Sequence, residues 1–336
     1  MTPAVTRNLA PDLSISIVSL NRADLVHKCL TSIEAYTTSV AYEVHLVAHN
    51  YKGATVDELQ GQHPSLLLHL VSGIRGYSQN NNVALRAARG RYVAILNDDT
   101  TISDDLFGGI VRFLDLHPDV TAACPVLRNP DGTLQMGFRG RFTPLSFLAQ
   151  QLKVDRLVPV AWAVRFGAFD RPWLPRVNGR PVDIEAGTGA CFVVRRDALE
   201  KIGLLDEHFF LGPDDIDWTE RLRRRGGRVV LLSDVSLTHL GGATMASTYH
   251  AVLPTVYAGC YTFFQRYYGV TAEWCIRLAL GCCWSALLAA GWLVVWMLVG
   301  SVRAGTMMRA RWGCVRFAFS PCSSAQVFAR LIGRNP

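Results

Sequence analysis

Apolar positions along the first 120 residues follow two periods. Short β-branched runs at Ser14–Leu20 (SISIVSL), Tyr42–Ala48 (YEVHLVA), Leu66–Val71 (LLLHLV) and Tyr92–Leu96 (YVAIL) predict strands. Between them the spacing widens to three and four. Leu25, Cys29, Leu30 and Ile33 mark one helix, Asn80–Arg89 a second, and Leu106–His117 a third that Pro118 closes. Strands alternating with helices at roughly 25-residue intervals predict a doubly wound, mostly parallel α/β sheet of Rossmann-like type. Ligands bind such sheets beyond the carboxyl ends of the strands. Asn21, His49, Gly76 and Asp99 each follow a predicted strand, so one rim should gather them.

The pattern then breaks. Residues 138–182 are rich in Arg, Pro and aromatics without a period. They fit either an insertion that meets an acceptor or the membrane, or a plain surface excursion. Regularity returns with a strand at Ala190–Arg195, a helix at Asp197–Ile202 and an amphipathic helix at Ile216–Arg225 stopped by Gly226-Gly227. Short strands at Val229–Leu232 and Val235–Leu237 follow. From Leu278 to Gly300 no residue is charged, a run long enough to cross a hydrocarbon core of about 30 Å. The aromatic stretch Tyr257–Tyr268 before it suits a membrane interface, and the arginines after it suit anionic headgroups.

Charge and cysteine usage narrow the picture. Of the net charge of +7, seven arginines from Arg277 onward and the single acid Glu273 account for +6. A basic nucleic-acid face over the globular part is therefore not expected. The nine cysteines form no C-x-x-C pair and no Cys/His zinc array, which suggests reduced, intracellular usage. The polar opening MTPAVTRNLAPDLS has no apolar leader pattern, so a cytosolic globular part is expected.

The candidate chemistry begins where the fourth strand stops on Asn97-Asp98-Asp99. Adjacent carboxylates there can cap the next helix, act as a general acid/base pair, or ligate Mg²⁺ or Mn²⁺ shared with substrate phosphates. A second acidic cluster, Asp214-Asp215-Ile216-Asp217, follows Phe209-Phe210-Leu211-Gly212-Pro213 and exceeds what a helix cap needs. His239-Leu240-Gly241-Gly242 then sets an imidazole beside flexible glycines after a β segment.

Together, SISIVSLNR, GYSQNNNVALRAARGRYVAILNDDT, HPDVTAACPVLRNPDGTLQ and the stretch from GACFVVRRDALEKIGLLDEHFFLGPDDIDW to SLTHLGGAT carry a family resemblance. They resemble a family 2, GT-A-fold inverting glycosyltransferase of the bacterial rhamnosyltransferase-like branch. The likeness runs from about residue 14 to 245 in the family's order. It implies a GT-A catalytic domain over residues 1–250 and a hydrophobic, membrane-associated helical tail over 251–336. It further implies that Asp99, with Asp98 and His239, holds Mg²⁺ or Mn²⁺, and that Asp215 is the catalytic base with Asp214 as its neighbour. Ser19, Asn21, Arg22, His49, Arg75, Gly76, Asn81, Asn82, Asn97 and Asp98 are then expected around a nucleotide-diphosphate sugar. The implied reaction moves rhamnose or another hexose to a hydroxyl of a lipid-linked or cell-surface polysaccharide acceptor.

One departure stands out. Where the family carries an acidic residue in a D-N-x-S-x-D motif after the second strand, this chain has His49-Asn50-Tyr51-Lys52. Base recognition through His49 or Tyr51, a different donor preference, or an inactive glycan-binding or scaffold homologue all fit that change. A nucleotidyltransferase would want a Gly-rich, Lys-bearing loop that SLNRADL lacks. The positive-inside rule puts Arg303, Arg309, Arg311 and Arg316 in the cytoplasm, where nucleotide-sugar chemistry also needs the catalytic unit. One straight span cannot satisfy both. A bend near Gly281, Ser285 and Gly291 is therefore expected, with a peripheral or monotopic placement on the cytoplasmic face of the plasma membrane.

Overall fold

The computed structural model describes residues 10–135, 137–153, 180–241 and 249–333. Its first half is the predicted parallel unit. Strands β1 (Leu13–Leu20), β2 (Tyr42–His49), β3 (Leu67–Val71) and β4 (Tyr92–Asn97) lie in the order β3-β2-β1-β4, all parallel. Helices α1 (Ala23–Tyr36), α2 (Gly53–Gln62) and α3 (Tyr77–Ala87) connect them. Alternation sorts β1 to two faces. Leu13, Ile15 and Ile17 join Val26 and Ile33 of α1 in one core. Ser14 and Ser16, buried on the other face, bond to Glu43 at 2.6 Å and Asn81 at 3.0 Å, so neither hydroxyl is left unsatisfied.

The chain continues through β5 (Thr100–Thr101), α4 (Leu106–Leu116), β6 (Val120–Arg128), β7 (Leu134–Gln135), β8 (Phe138–Arg139), α5 (Pro144–Leu152), β9 (Val182–Asp183) and β10 (Ala186–Gly187). It then forms β11 (Cys191–Arg195), α6 (Arg196–Ile202), α7 (Asp214–Arg224) and β12 (Arg228–His239). Two details differ from the sequence pattern. β11 runs antiparallel between β4 and β6, because the chain reaches it at the carboxyl end of β4, where Asn97 N–H donates to Ala190 O. The two short strands after α7 are one, β12, with a register shift between Leu232 and Ser236. Val93, Ile95, Val194, Leu199, Trp218 and Leu222 form the second core on the opposite face. Most of the expected 138–182 insertion, residues 154–179, lies outside the described residues, as do residues 242–248.

The tail folds onto this body. It comprises α8 (Tyr249–Tyr268), α9 (Val270–Ile276), a π-helical stretch over Arg277–Trp284, α10 (Ser285–Val299), α11 (Val302–Ala318) and α12 (Ser324–Leu331). Val270–Val299 is long and apolar enough to cross a membrane. Where the bend near Gly281, Ser285 and Gly291 is expected, the chain stays helical and passes through the π-helical stretch into α10. Gly281 lets the helix pass Tyr261, whose hydroxyl a Cβ would strike. Ser285 Oγ donates back to Leu280 O at 2.7 Å and supports the π widening. The chain reverses later, at Gly300, where φ is +64°, and α11 returns along α10. α12 then docks on the loop before α7: Ser324 Oγ accepts from Phe210 N at 3.0 Å and donates to His208 O at 2.9 Å.

Asp217, fully buried at the start of α7, ties the tail to the sheet. It accepts from Arg221 at 2.8 Å, from Arg266 at 2.9 Å and from Tyr267 at 2.8 Å. Removing one partner of a buried ion pair leaves the other charge uncompensated. Asp217→Ala is therefore expected to lower unfolding stability by about 3–5 kcal/mol, read from urea denaturation. A loss below about 1 kcal/mol, the scale of a surface pair, would refute this role.

Candidate active site

The carboxyl end of β4 delivers Asn97, Asp98 and Asp99 to the rim, and each aspartate meets its own partner. Both oxygens of Asp98, which is 2% exposed, bond to the Arg22 guanidinium, with Nε–Oδ2 at 3.3 Å. Arg22 is lifted into place by Asn21, whose φ of +55° turns the chain sharply out of β1; Asn is among the few residues that accept this region. Tyr51 Oη braces the turn at 2.8 Å from Ser19 Oγ and 3.0 Å from Arg22 N. Burial pushes Asp98 above its ordinary carboxyl range despite Arg22.

Asp99 faces His239 across a two-residue antiparallel pairing of β5 with β12, in which Thr100 stands opposite His239. His239 Nε2 lies 3.1 Å from Asp99 Oδ1 and 3.2 Å from Asn97 Nδ2. Burial opposes ionisation of Asp99, yet the bond and charge of His239 keep it below the ordinary value. The other ring nitrogen is held by a residue that pattern alone does not mark. Gln135 donates through Nε2 to Asn129 Oδ1 at 3.0 Å and to His239 O at 3.3 Å, which leaves Oε1 to accept from His239 Nδ1 at 2.5 Å. In the neutral imidazole the Nε2 lone pair then faces the Asp99 carboxylate. Two electron-pair donors at that separation want a proton or a cation between them, so the corner fits a divalent metal. Among the described residues no three His, Cys, Asp or Glu side chains converge on a metal site. Two protein ligands with positions left for phosphate oxygens are what Mg²⁺ and Mn²⁺ accept.

The second acidic cluster starts α7, and its members are unequal. Asp214 is 4% exposed, and its Oδ2 has no partner among the described residues. Burial, then the Asp215 charge, push it up to about 8. Asp215 is partly accessible and accepts from Gly189 N at 3.0 Å and Ile216 N at 2.8 Å. Tyr77 links this pair to β4: its hydroxyl lies 3.0 Å from Gly189 O and 3.3 Å from Asn97 Oδ1. Gly76 must be glycine, since a Cβ would sit 2.5 Å from Phe210 O, the carbonyl that accepts from Tyr77 N at 2.8 Å.

The remaining expected pocket residues reach the same end of the sheet but spend their polar atoms on the scaffold. His49 Nε2 donates to Gly73 O at 2.7 Å and its Nδ1 accepts from Asn80 Nδ2 at 3.1 Å. Arg75 bonds Asn80 Oδ1 at 2.9 Å and Gln79 O at 3.0 Å. Asn81 joins Ser16 to Tyr77 O. Asn82 clamps Leu205 through both backbone atoms, at 2.8 and 3.1 Å. Arg22, by contrast, keeps a buried Nη1 with no partner among the described residues.

A mostly parallel mixed sheet with a carboxylate–imidazole corner at the end of β4, linked through Asn97, Tyr77 and Gly189 to a second carboxylate, is a GT-A-type architecture. The model for "Glycosyltransferase like family 2" matches residues 11–258, and the chain belongs to that family. It is 27% identical over 239 residues to the O-antigen biosynthesis protein RfbC of Myxococcus xanthus, covering 68% of this chain and 17% of that protein. It is 23% identical over 164 residues to the N-acetylglucosaminyl-diphospho-decaprenol L-rhamnosyltransferase of Mycobacterium tuberculosis, covering 44% of this chain and 46% of that one. The chain thus spans less than half the length of either relative. The fold is shared with the mannosyltransferase PcManGT of Pyrobaculum calidifontis, solved with GDP-Man and Mn²⁺, at a TM-score of 0.52 and 21% identity over 97% of this chain and 86% of that one. It is also shared with GalNAc-T7, solved with UDP, GalNAc and Mn²⁺, at a TM-score of 0.52 and 15% identity over 69% of this chain and 44% of that one.

The buried Asp214 proton has a measurable consequence. The folded chain keeps it up to about pH 8, whereas an unfolded chain, at the ordinary 3.8, has lost it. The native state binds more protons in that window, so this group's contribution to stability falls as pH rises from about 4 to about 8. Asp214→Asn should flatten the stability–pH profile there and exceed wild type near pH 8. Parallel profiles for the two proteins would show that Asp214 titrates normally.

Proposed function

We propose that this chain is a metal-dependent inverting glycosyltransferase of the bacterial cell envelope. It moves rhamnose or another hexose from a nucleoside-diphosphate donor to a hydroxyl of a lipid-linked or polysaccharide acceptor at the cytoplasmic face of the plasma membrane. One observation carries the reading: Asp99–His239 and the Gly189-held Asp215 stand on either side of Asn97, joined through Tyr77. The names of the relatives and neighbours support it further, through Mn²⁺, UDP and GDP-mannose in the two structures and the diphospho-decaprenol acceptor and O-antigen role of the two relatives.

Asp99 and His239 would hold Mg²⁺ or Mn²⁺, with Asp98 steadying Arg22 behind them. When bound, the cation neutralises the departing diphosphate. Arg22 Nη1, lacking a partner, offers a further donor to the anionic leaving group. Asp215 takes the proton of the acceptor hydroxyl, its orientation set by two backbone N–H groups. Asp214, neutral near pH 7, spares Asp215 a second adjacent charge. With the base opposite the leaving group, one displacement inverts the anomeric carbon.

A panel of nucleotide sugars, scored for release of nucleoside diphosphate with Mn²⁺ and with EDTA, tests the activity. Asp215→Asn should abolish transfer to acceptor while leaving donor affinity within about twofold, because the group acts on the acceptor proton. Undiminished turnover in that variant, or a retained anomeric configuration in the product, overturns the mechanism.

Gln135 is assigned to positioning the His239 ring. Gln135→Ala is expected to weaken Mn²⁺ binding, followed by electron paramagnetic resonance, by about 10- to 100-fold, with Gln135→Glu restoring part of it. Unchanged Mn²⁺ affinity would make Gln135 a spectator.

A further inference from the structure

The tail carries a cluster that transfer chemistry does not use. α10 is apolar all round and largely uncovered, with Leu287, Val294, Trp296, Met297 and Leu298 between 44% and 80% exposed. On the neighbouring α11, residues three and four apart share a side, and this places Arg309, Trp312 and Arg316 together. With His250, Met308 and Leu331 they line an open cavity of about 360 Å³, within the roughly 300–1,000 Å³ range of small-ligand sites. No acid lines it. Elsewhere in the tail Arg277 pairs with Glu273 at 2.7 Å, and Arg311 reaches Tyr257 Oη at 2.9 Å. Arg309 and Arg316 have no carboxylate partner among the described residues. Trp312 is 60% exposed beside them, with the amphipathic ring that favours a lipid–water boundary.

We infer that this cavity binds the phosphate of an anionic membrane phospholipid, while the exposed apolar helix α10 lies in the same leaflet. Two guanidiniums with no carboxylate partner among the described residues select a phosphate. A lipid, unlike a free anion, also covers the apolar surface of α10 next door. With α10 in the plane of that leaflet, α11 stays at headgroup level and α12 returns to the catalytic body, as it does through Ser324. The inference rests on the membrane association proposed above and adds the lipid class and the residues that read it.

Vesicle flotation of the full chain tests both layers separately. One vesicle set is phosphatidylcholine alone; the other carries phosphatidylglycerol as about a third of the lipid. The double variant Arg309→Gln/Arg316→Gln should bind the anionic vesicles roughly 10- to 30-fold more weakly, at about one decade or less per charge, and the neutral ones as wild type does. Removing two charges elsewhere on the tail, in Arg303→Gln/Arg330→Gln, should cost clearly less. Equal losses in the two double variants, or none in the first, leave the anchor standing and overturn the headgroup site. Inorganic phosphate bound by the wild type and not by the double variant, with the two floating equally on anionic vesicles, would assign the cavity to a soluble anion and overturn the lipid. No flotation with either vesicle overturns the membrane reading itself. Thermal midpoints within about 2 °C of wild type certify that the variants are folded.

Discussion

Two adjacent carboxylates at the end of one buried strand are the constraint around which this molecule is arranged. At an effective dielectric of about 20, like charges 4 Å apart cost roughly 4 kcal/mol, and burial adds to it. The fold answers by giving each its own partner from a remote part of the chain. The Arg22 guanidinium comes from the turn after β1, and the His239 imidazole from the end of β12. Pairing Asp98 therefore fixes the first strand–helix turn, and pairing Asp99 fixes where the last strand must stop. The same arrangement leaves His239 Nε2 and Asp99 Oδ1 turned toward each other, a geometry that a divalent cation completes.

The second carboxylate pair is treated differently, and the difference separates its members. Asp214 is sealed beneath the rim and kept protonated, while Asp215 stays partly open and is aimed by backbone amides. The antiparallel entry of β11 is what makes this aim achievable. It brings Gly189 to the end of β4, so that one short loop touches both the Asn97 segment, through Tyr77, and the Asp215 carboxylate. A parallel β11 would have carried that loop to the opposite edge of the sheet.

The tail is part of this arrangement rather than an attachment to it. Phe209 and Ile216, at the start of the acidic turn, pack in the same cluster as Tyr257, Phe264 and Leu280. Gly259 lets α8 pass so close to the Gly212 carbonyl that any side chain would collide. The segment that presents Asp214 and Asp215 is therefore held by α8 and by the π-helical stretch that leads into α10.

The alternation of SISIVSL and YVAIL, the three-and-four spacing of α1 and α4, and the placing of Asn21, His49, Gly76 and Asp99 after strands were all legible in the chain. So was the acidic character of the two clusters, because residue chemistry and local period need no knowledge of remote neighbours. Orientation does need it. Asn81, Asn82 and His49 stand at the rim, yet their polar atoms turn inward to Ser16, Leu205 and Gly73. Gln135, Tyr77 and Gly189 have no distinctive local pattern, and they matter only because β12, α3 and β11 bring His239, Asn97 and Asp215 against them. The reversal at Gly300 was decided the same way, and only the folded tail shows that Tyr261 fills the space beside Gly281.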